Sequence, residues 1–355
     1  MTDPRNTAPS RKVTLDEVAQ LAGVSKASAS KALNGRKDVS AQTRRRVLEA
    51  VDALGYRSRP ARSEQARGCI AIVADNLSTT YTLEILKGAS TAALQLEVAL
   101  DLCHTFFEGA DQPKILPLSD TWIDRFVDRG GIGIVTVTSP SSEELIRRLK
   151  RAGLAHLAID PASPPPSGTA SIGATNWNGG VEATQHLIAL GHRRIAFVKG
   201  PADSVPGHER FEGYLSALRM NRIPYDPDLV AGADYSYENG LESGRALLDR
   251  PAAERPSAIF ASNDVTAIGV FEAARELGIR IPEELSVIGF DDTDLARWST
   301  PSLTTFHQLL VEMGARAVRA ILLMAREADE ATSAPIQLTT RLVVRNSTAP
   351  APVTP

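Results

Sequence analysis

Acidic and amide side chains stand where short apolar runs of this chain end. Asp75 and Asn76 follow C-I-A-I-V (69–73), and Asp160 closes H-L-A-I-D (156–160). Asn263 and Asp264 follow A-I-F-A (258–261), and Asp291 and Asp292 follow V-I-G-F (287–290). Arg210 lies just past another run, I-A-F-V (195–198). If the runs are parallel strands, these groups share the edge at which open α/β sheets bind ligands. Carboxylates and an amide that accept hydrogen bonds, with an arginine that donates, suit a small polyhydroxylated molecule. A second set lies near the amino terminus. Lys26, Ser28, Ser30 and Lys31 are cations and hydroxyls of the kind that meet phosphate oxygens and base edges.

The second set is carried by V-T-L-D-E-V-A-Q-L-A-G-V-S-K-A-S-A-S-K-A-L-N (13–34). Apolar residues recur there every three or four positions, so each half reads as a helix with one buried face. Thr14 and Glu17 have the spacing of a capping box, Gly23 sits where the first helix must stop, and Ser25 can cap the second. Ser40 opens a third helix to about Leu54, with Val47, Leu48, Val51 and Leu54 as its stripe and Arg44, Arg45 and Arg46 outside. This is a helix-turn-helix whose second helix is available to a DNA major groove. The plainer alternative is a helical hairpin with a solvated face.

The first set is carried by a body in which strand and helix alternate. Besides the runs above, V-A-L-D-L (98–102) and G-I-V-T (133–136) read as strands. Helical patterns fall at 83–96, 142–152, 179–190, 208–221, 238–249, 264–277 and 309–327. Strict alternation implies doubly wound parallel sheets, and the length of the body implies two lobes. Residues 1–11 and the tail 349–355 are expected to be disordered. The fold class is an all-α helix-turn-helix headpiece followed by a two-lobed α/β domain.

Charge is distributed to match. Residues 1–67 carry 14 Lys and Arg against 7 Asp and Glu, a net of +7, and the remainder carries 25 against 35, a net of -10. A basic head on an acidic body fits a phosphate-binding module on a soluble carrier. The two cysteines, Cys69 and Cys103, form no disulfide framework. No secretory pattern or bilayer-length apolar run is read, so the expected compartment is the cytoplasm. G-x-S-x-G, the P-loop lysine motif, H-E-x-x-H and paired-cysteine metal motifs are absent from the sequence, and the six histidines show no ligand spacing. Neither an enzyme, a cofactor nor a metal site is expected.

The motifs V-T-L-D-E-V-A-Q-L-A-G-V-S, S-K-A-L-N-G, V-S-A-Q-T-R-R-R-V and L-G-Y resemble the headpiece of the Lac repressor and galactose repressor family of transcriptional regulators. Further matches continue along the body: G-A-T-N-W-N-G-G (173–180), L-G-H-R-R-I-A-F-V (190–198), R-F-E-G-Y (210–214), A-S-N-D-V-T-A-I-G (261–269), I-P-E-E-L-S-V-I-G-F-D-D (281–292) and P-S-L-T-T (301–305). The resemblance implies a homodimer that binds near-palindromic operator DNA as a repressor. It also implies a body like the periplasmic sugar-binding proteins, with three crossovers between lobes and a small effector in the cleft. The expected organisation is a DNA-binding domain at 12–56, a hinge at 57–67 and an effector-binding and dimerisation domain at 68–348. Lobe 1 is expected at 68–168 plus 306–330, and lobe 2 at 169–305 plus 331–348.

By position, the resemblance makes Lys26, Ala27 and Lys31 base contacts. Thr14, Ser25, Ser28, Ser30, Asn34, Ser40 and Thr43 become phosphate contacts, with plain helix capping as the alternative for the serines and threonines. At the hinge, Ser58 and Arg59 replace the family's Pro-Asn, and Glu64 or Gln65 stands where a leucine normally wedges into the minor groove. Hinge contacts are therefore expected from Arg57, Arg59, Arg62 and Arg67, with weaker bending. Effector contacts fall on Asp75, Asp160, Arg210, Asn263 and Asp291, with Tyr235 stacking on the ligand. Trp177 is a second stacking platform or a lobe-packing residue. Asp264 reads first as the cap of 265–277, and Asp292 as a residue that orders its loop. His192 reads as structural, beyond a helix end where a cation suits the dipole, and Trp298 as a dimer contact. A mono- or oligosaccharide is favoured as effector. Tyr81, the one ring in D-N-L-S-T-T-Y (75–81), keeps a purine open as the alternative, and a solute-binding protein without DNA binding is more remote.

Overall fold

A computed structural model describes residues 14–33, 39–54, 68–107, 114–115, 118–326 and 334–352. Asn34 and the hinge arginines Arg57, Arg59, Arg62 and Arg67 lie outside the described residues, as do residues 1–11. The chain divides into two compact units, residues 1–66 and 67–355.

The first unit holds α1 (Leu15–Ala22), α2 (Lys26–Leu33) and α3 (Ala41–Leu54). The Thr14 hydroxyl accepts from the Glu17 amide, and the Glu17 carboxylate accepts from the Thr14 amide at 2.7 Å, so the capping box forms as expected. Gly23 ends α1 in the left-handed conformation at φ 61°. Ser25 and Ser40 accept from the amides of Ser28 and Thr43, each at 3.1 Å. The core is small: Val18, Ala19, Ala22, Ala29, Ala32, Val47 and Ala50. Alanines let three short helices approach closely. Leu48 was expected in the α3 stripe, but it is 48% exposed and Ala50 is buried instead. Arg45 and Arg46 are exposed, whereas Arg44 is only partly so.

The second unit runs β1 (Cys69–Ala74), α4 (Thr80–Gln95), β2 (Ala99–His104), the hairpin β3 (Phe106–Phe107) and β4 (Lys114–Ile115), α5 (Asp120–Asp128), β5 (Gly131–Val137), α6 (Glu143–Arg151), β6 (Ala155–Ile159) and β7 (Ala170–Ala174). It continues with α7 (Asn176–Ala189), β8 (Ile195–Val198), α8 (Val205–Met220), β9 (Val230–Ala231), α9 (Tyr237–Leu248), β10 (Ala258–Ala261), α10 (Asp264–Glu276), β11 (Ser286–Ile288), α11 (Asp294–Trp298), β12 (Thr305–His307), α12 (Leu310–Arg326), β13 (Ile336–Leu338) and β14 (Arg341–Val343). Six strands form one parallel sheet in the order β13-β7-β6-β5-β1-β2, and four form another in the order β11-β10-β8-β9. The doubly wound, two-lobed expectation holds.

The lobe boundary differs from the expected one. β7 and β13 belong to the six-stranded sheet, so residues 170–174 and 336–338 lie in lobe 1, not lobe 2. The first crossing falls after β7, because A-S-I-G-A can pair with β6 despite its weak apolar signal. The second passes from β12 into α12, and the third from β13 into β14. Thr175 and Thr340 join the first and third: the Thr340 amide donates to the Thr175 hydroxyl at 3.0 Å.

Residues 349–352 of the tail are ordered, against expectation, and residues 353–355 lie outside the described residues. The Ala349 amide donates to Ser286 Oγ at 3.0 Å, and the Ala351 amide to the Leu190 carbonyl at 2.8 Å. His192 is structural, but not as a surface cation at a helix end. It is 1% exposed, held by Ser257, Ser286 and the Ala349 carbonyl, and burial lowers its pKa.

Helices in both lobes cross at facing glycines. A Cβ on Gly88 of α4 would stand 1.7 Å from the Val311 carbonyl oxygen of α12, and one on Gly314 would stand 2.0 Å from the Ile85 oxygen. Gly180 and Gly213 do the same between α7 and α8, with a Gly180 Cβ 2.3 Å from the Arg210 carbonyl oxygen. That close approach sets the depth at which α8 carries Arg210 into the second lobe.

A buried cleft network and an exposed recognition helix

The cleft network is built at the carboxyl ends of strands. Asp160 ends β6 and is 3% exposed; its carboxylate accepts from the Tyr81 hydroxyl at 2.5 Å. Asp291 follows β11, is 5% exposed, and accepts from the Gln308 amide at 2.6 Å. Arg210 is 3% exposed. Its Nη2 lies 3.7 Å from Asp291 Oδ1, Nε donates to Asn176 Oδ1 at 2.9 Å, and Nη1 donates to the Ser262 carbonyl at 2.6 Å. The guanidinium also lies 3.8 Å from the Phe290 ring centroid. Arg210 is the one buried arginine among the described residues, and each of its guanidinium nitrogens faces a partner, as burial of a charge requires.

Asp75 is partly exposed at the end of β1 and accepts from the Thr138 hydroxyl and the Asn76 amide. Sheet order places β1 two strands from β6, so Asp75 and Asp160 share one rim. Among the described residues, six non-glycine residues have positive φ, and four of them, Thr138, Asp160, Asp291 and Asp292, lie at these strand ends. Strain of that kind collects at ligand clamps.

Burial pushes the carboxyl pKa values of Asp75 and Asp160 up. It carries Asp291 to about 7, although Arg210 and the Gln308 hydrogen bond pull the other way. Asp264 rises to about 8, first from burial and then from the Asp291 charge. Glu209 is also raised, chiefly by burial.

Two expectations change here. Asp264 is not the cap of α10: Asn263 is, its Oδ1 accepting from the Thr266 amide at 2.8 Å. Asp264 is fully buried and accepts from the Thr293 amide at 2.8 Å, the Thr293 hydroxyl and the Thr305 hydroxyl, so it fastens the loop that presents Asp291. Asn263 Nδ2 points back to the Tyr235 carbonyl at 3.3 Å. Tyr235 is half-buried; its hydroxyl meets Ser204 at 2.7 Å and its ring packs over Gly200. Asp292 orders its loop as expected, bridging Arg345 at 2.5 Å and His307 at 2.9 Å. Trp177 follows Asn176 at the start of α7 and is 41% exposed.

Sequence reasoning missed Gln308, Asn176, Thr138 and Glu209, and read Tyr81 only as the ring that keeps a purine open. Gln308 follows β12 as Asp291 follows β11, so the strand-end rule would have found it had the three-residue β12 been recognised. Gln308 Oε1 and Ser262 Oγ are buried with no hydrogen-bond partner, which leaves an acceptor and a hydroxyl beside Arg210 and Asp291.

In the headpiece unit, Lys26 opens α2, and its Nζ lies 2.8 Å from Asp16 Oδ2, with the two side chains 62% and 65% exposed. Ala27 and Ser30 are exposed or partly so, as are Lys31, Ser28 and Ser25. Ser25 and Ser40 serve as caps, and their hydroxyls also meet those of Ser28 and Thr43 at 2.9 Å. Their capping role is thus observed. No described group of three or more His, Cys, Asp or Glu residues is placed to hold a metal, and no described helix is long and apolar enough to cross a membrane.

A DNA-reading helix-turn-helix and a two-lobed body with a buried polar network define a ligand-responsive regulator of the binding-protein type. The family models agree: residues 14–58 match that of the bacterial regulatory proteins of the lacI family, and residues 184–348 match the periplasmic binding protein-like domain. The chain is 32% identical over 344 residues to the HTH-type transcriptional regulator DegA of Bacillus subtilis, covering 96% of this chain and 99% of that one. It is 32% identical to CelR of Thermobifida fusca over 349 residues, covering 95% and 98%. A CelR–cellobiose complex superposes with a TM-score of 0.68 at 29% identity, covering 94% and 99%. The Lac repressor dimer bound to operator and the anti-inducer ONPF superposes at 0.69 and 26%, covering 96% and 100%. The chain belongs to the LacI family and is a DNA-binding transcriptional regulator, not a solute-binding protein without a DNA-binding role.

Proposed function

We propose that this regulator is a cytoplasmic homodimeric repressor whose hold on a near-palindromic operator is set by a small carbohydrate bound between the lobes. The observation that carries this is the buried set around Arg210: Asp160, Asp291 and Asn176, with the unpartnered Gln308 Oε1 and Ser262 Oγ. An acceptor and a hydroxyl that lack partners are costly to bury alone, and ligand hydroxyls would satisfy them. Asp75, Tyr235, Trp177 and Asn263 complete the proposed effector site, Asn263 by fixing Tyr235. CelR, whose structure is known as a complex with cellobiose, is a relative with a sugar in hand. An effector shifts lobe closure only by binding one arrangement better than the other.

Lys26, Ala27 and Lys31 are proposed to read bases. Thr14, Ser25, Ser28, Ser30, Ser40 and Thr43 are proposed to hold phosphates through side chains and the helix ends they cap. Replacing Lys26 with Ala should weaken one operator position by about 1–3 kcal/mol. Trp298, 74% exposed, is proposed as part of the dimer contact.

A purine remains the second reading because Tyr81 enters the network beside Asp160, and its hydroxyl also feels Asp291 and Arg210. A thermal-shift screen of monosaccharides, disaccharides and purine bases separates the two. A shift with a sugar that vanishes in Arg210→Lys supports the carbohydrate site. A shift with purines alone replaces it, and a sugar shift unaffected by Arg210→Lys moves the site elsewhere.

A further inference from the structure

Two acidic residues stand in the first turn of α1, and they are used differently. Glu17 turns back to cap Thr14. Asp16 instead reaches across to α2 and takes a hydrogen bond from Lys26 Nζ at 2.8 Å. Both partners are mostly exposed, so the pair adds little to folding. A carboxylate beside the first residue of a recognition helix nevertheless repels DNA phosphates and lowers affinity for any sequence. A group that weakens general binding without aiding the fold has its use in selection.

We propose that Asp16 is a specificity-determining residue that acts through Lys26. This rests on Lys26 reading bases. An ammonium group has three protons to donate. With one held by Asp16, two remain and point away from it. Guanine offers two adjacent acceptors on its major-groove edge, O6 and N7, and takes both without breaking the pair. Adenine offers one acceptor there, N7, beside an amino group that donates and so opposes the ammonium. A phosphate can draw Lys26 away only by leaving the Asp16 carboxylate without its cation on a negatively charged surface. The pair therefore holds Lys26 on the groove floor, penalises its use as a general phosphate contact, and favours guanine.

The test is selection of operators from a randomised duplex library by the full chain, followed by affinities for the selected duplex and its single-base variants. The chains compared are the unsubstituted one, Asp16→Ala, Lys26→Ala and the double variant. The expected outcome for Asp16→Ala is tighter binding to random duplex, a steeper salt dependence, and about a tenfold loss of guanine preference at one position. The double variant should show the same preference as Lys26→Ala alone, because Asp16 acts through the lysine. Equal tightening on all sequences with the preference intact would overturn the proposal, as would losses that add in the double variant. If Lys26→Ala changes no base preference, the base-reading role itself fails, which is distinct from failure of Asp16. Asp16→Glu, with the same charge one methylene further out, should recover part of the preference if the carboxylate orients the lysine. Circular dichroism of each variant excludes loss of the headpiece fold.

Discussion

The Lys26–Asp16 pair of the headpiece has side chains 62% and 65% exposed, whereas the Arg210–Asp291 pair of the cleft has side chains 4% and 6% exposed. Each joins a cation to a carboxylate, yet they work under opposite conditions. At the surface, water and salt screen the attraction, so the pair contributes little to the fold and its effect is felt only when DNA phosphates come near. In the interior, a charge that loses its partner has no water to replace it. A solvated pair can keep its own contact and still leave donors free for an incoming group. A ligand cleft has to rearrange only when a molecule supplies the missing groups. The location of each pair thus fits the role proposed for it.

The largest effect that follows is on Arg210→Ala. It removes the cation beside Asp291, the donors to Asn176 and Ser262, and the contact with Phe290 together. Unfolding of the 67–355 unit in denaturant should lose about 3–5 kcal/mol. A loss under about 1 kcal/mol would mean that the cleft charges are solvated and the contrast with Lys26 is false.

Next in size is Gly180→Ala. The new Cβ would stand 2.3 Å from the Arg210 carbonyl oxygen, so α7 and α8 must part. Overpacking of that kind costs about 1–3 kcal/mol, and Arg210 moves with α8. We expect effector response to fall further than stability does, measured by ligand titration beside denaturation. Equal losses in the two would show that the helix crossing supports the fold without placing the arginine.

The buried carboxylates set a pH dependence. Their pKa values in the fold, about 7 for Asp291 and about 8 for Asp264, lie above the ordinary value of 3.8 that an unfolded chain restores. Between these limits the folded state holds protons that the unfolded state releases. Stability is then greatest below about pH 4 as far as these groups are concerned, and it declines as pH rises toward 7 and 8. The slope is at most about 1.4 kcal/mol per pH unit for each proton held. Asp264→Asn should flatten it, because an amide keeps the buried shape with nothing to ionise. Denaturation of both chains at several pH values between 4 and 8 checks this, and parallel curves would count against Asp264 as the source.

The strand-end residues that carry the network were readable because parallel strands buried on both faces are plain apolar runs. The end of each run therefore locates Asp160, Asn263 and Asp291. What escaped reading was short or weakly apolar. β7, A-S-I-G-A, has too little hydrophobic content to register, which shifted the lobe boundary. β12 spans three residues, Thr305–His307, so Gln308 had no strand end to mark it. Asp264 and Asn263 exchanged roles because adjacent residues at a helix start offer the same capping chemistry, and only the backbone decides which accepts. The tail from Ala349 looked like a free, proline-rich end. Its order comes from hydrogen bonds to Ser286, His192 and Leu190, contacts distant in sequence that local pattern does not encode.

The smallest effect returns to the headpiece. Thr14 holds the Glu17 amide in the capping box and is also proposed to meet a phosphate. Thr14→Ala should lower headpiece stability by about 1 kcal/mol, the usual worth of an N-cap. The 67–355 unit should be unmoved, so calorimetry should show the headpiece transition shift alone. Thr14→Ser keeps a hydroxyl and should restore both stability and DNA affinity. If Thr14→Ala weakens DNA binding no more than the loss of folded headpiece accounts for, Thr14 is a cap and the phosphate contact is withdrawn. If binding falls further, the hydroxyl serves both partners in turn, which a surface position allows and the cleft does not.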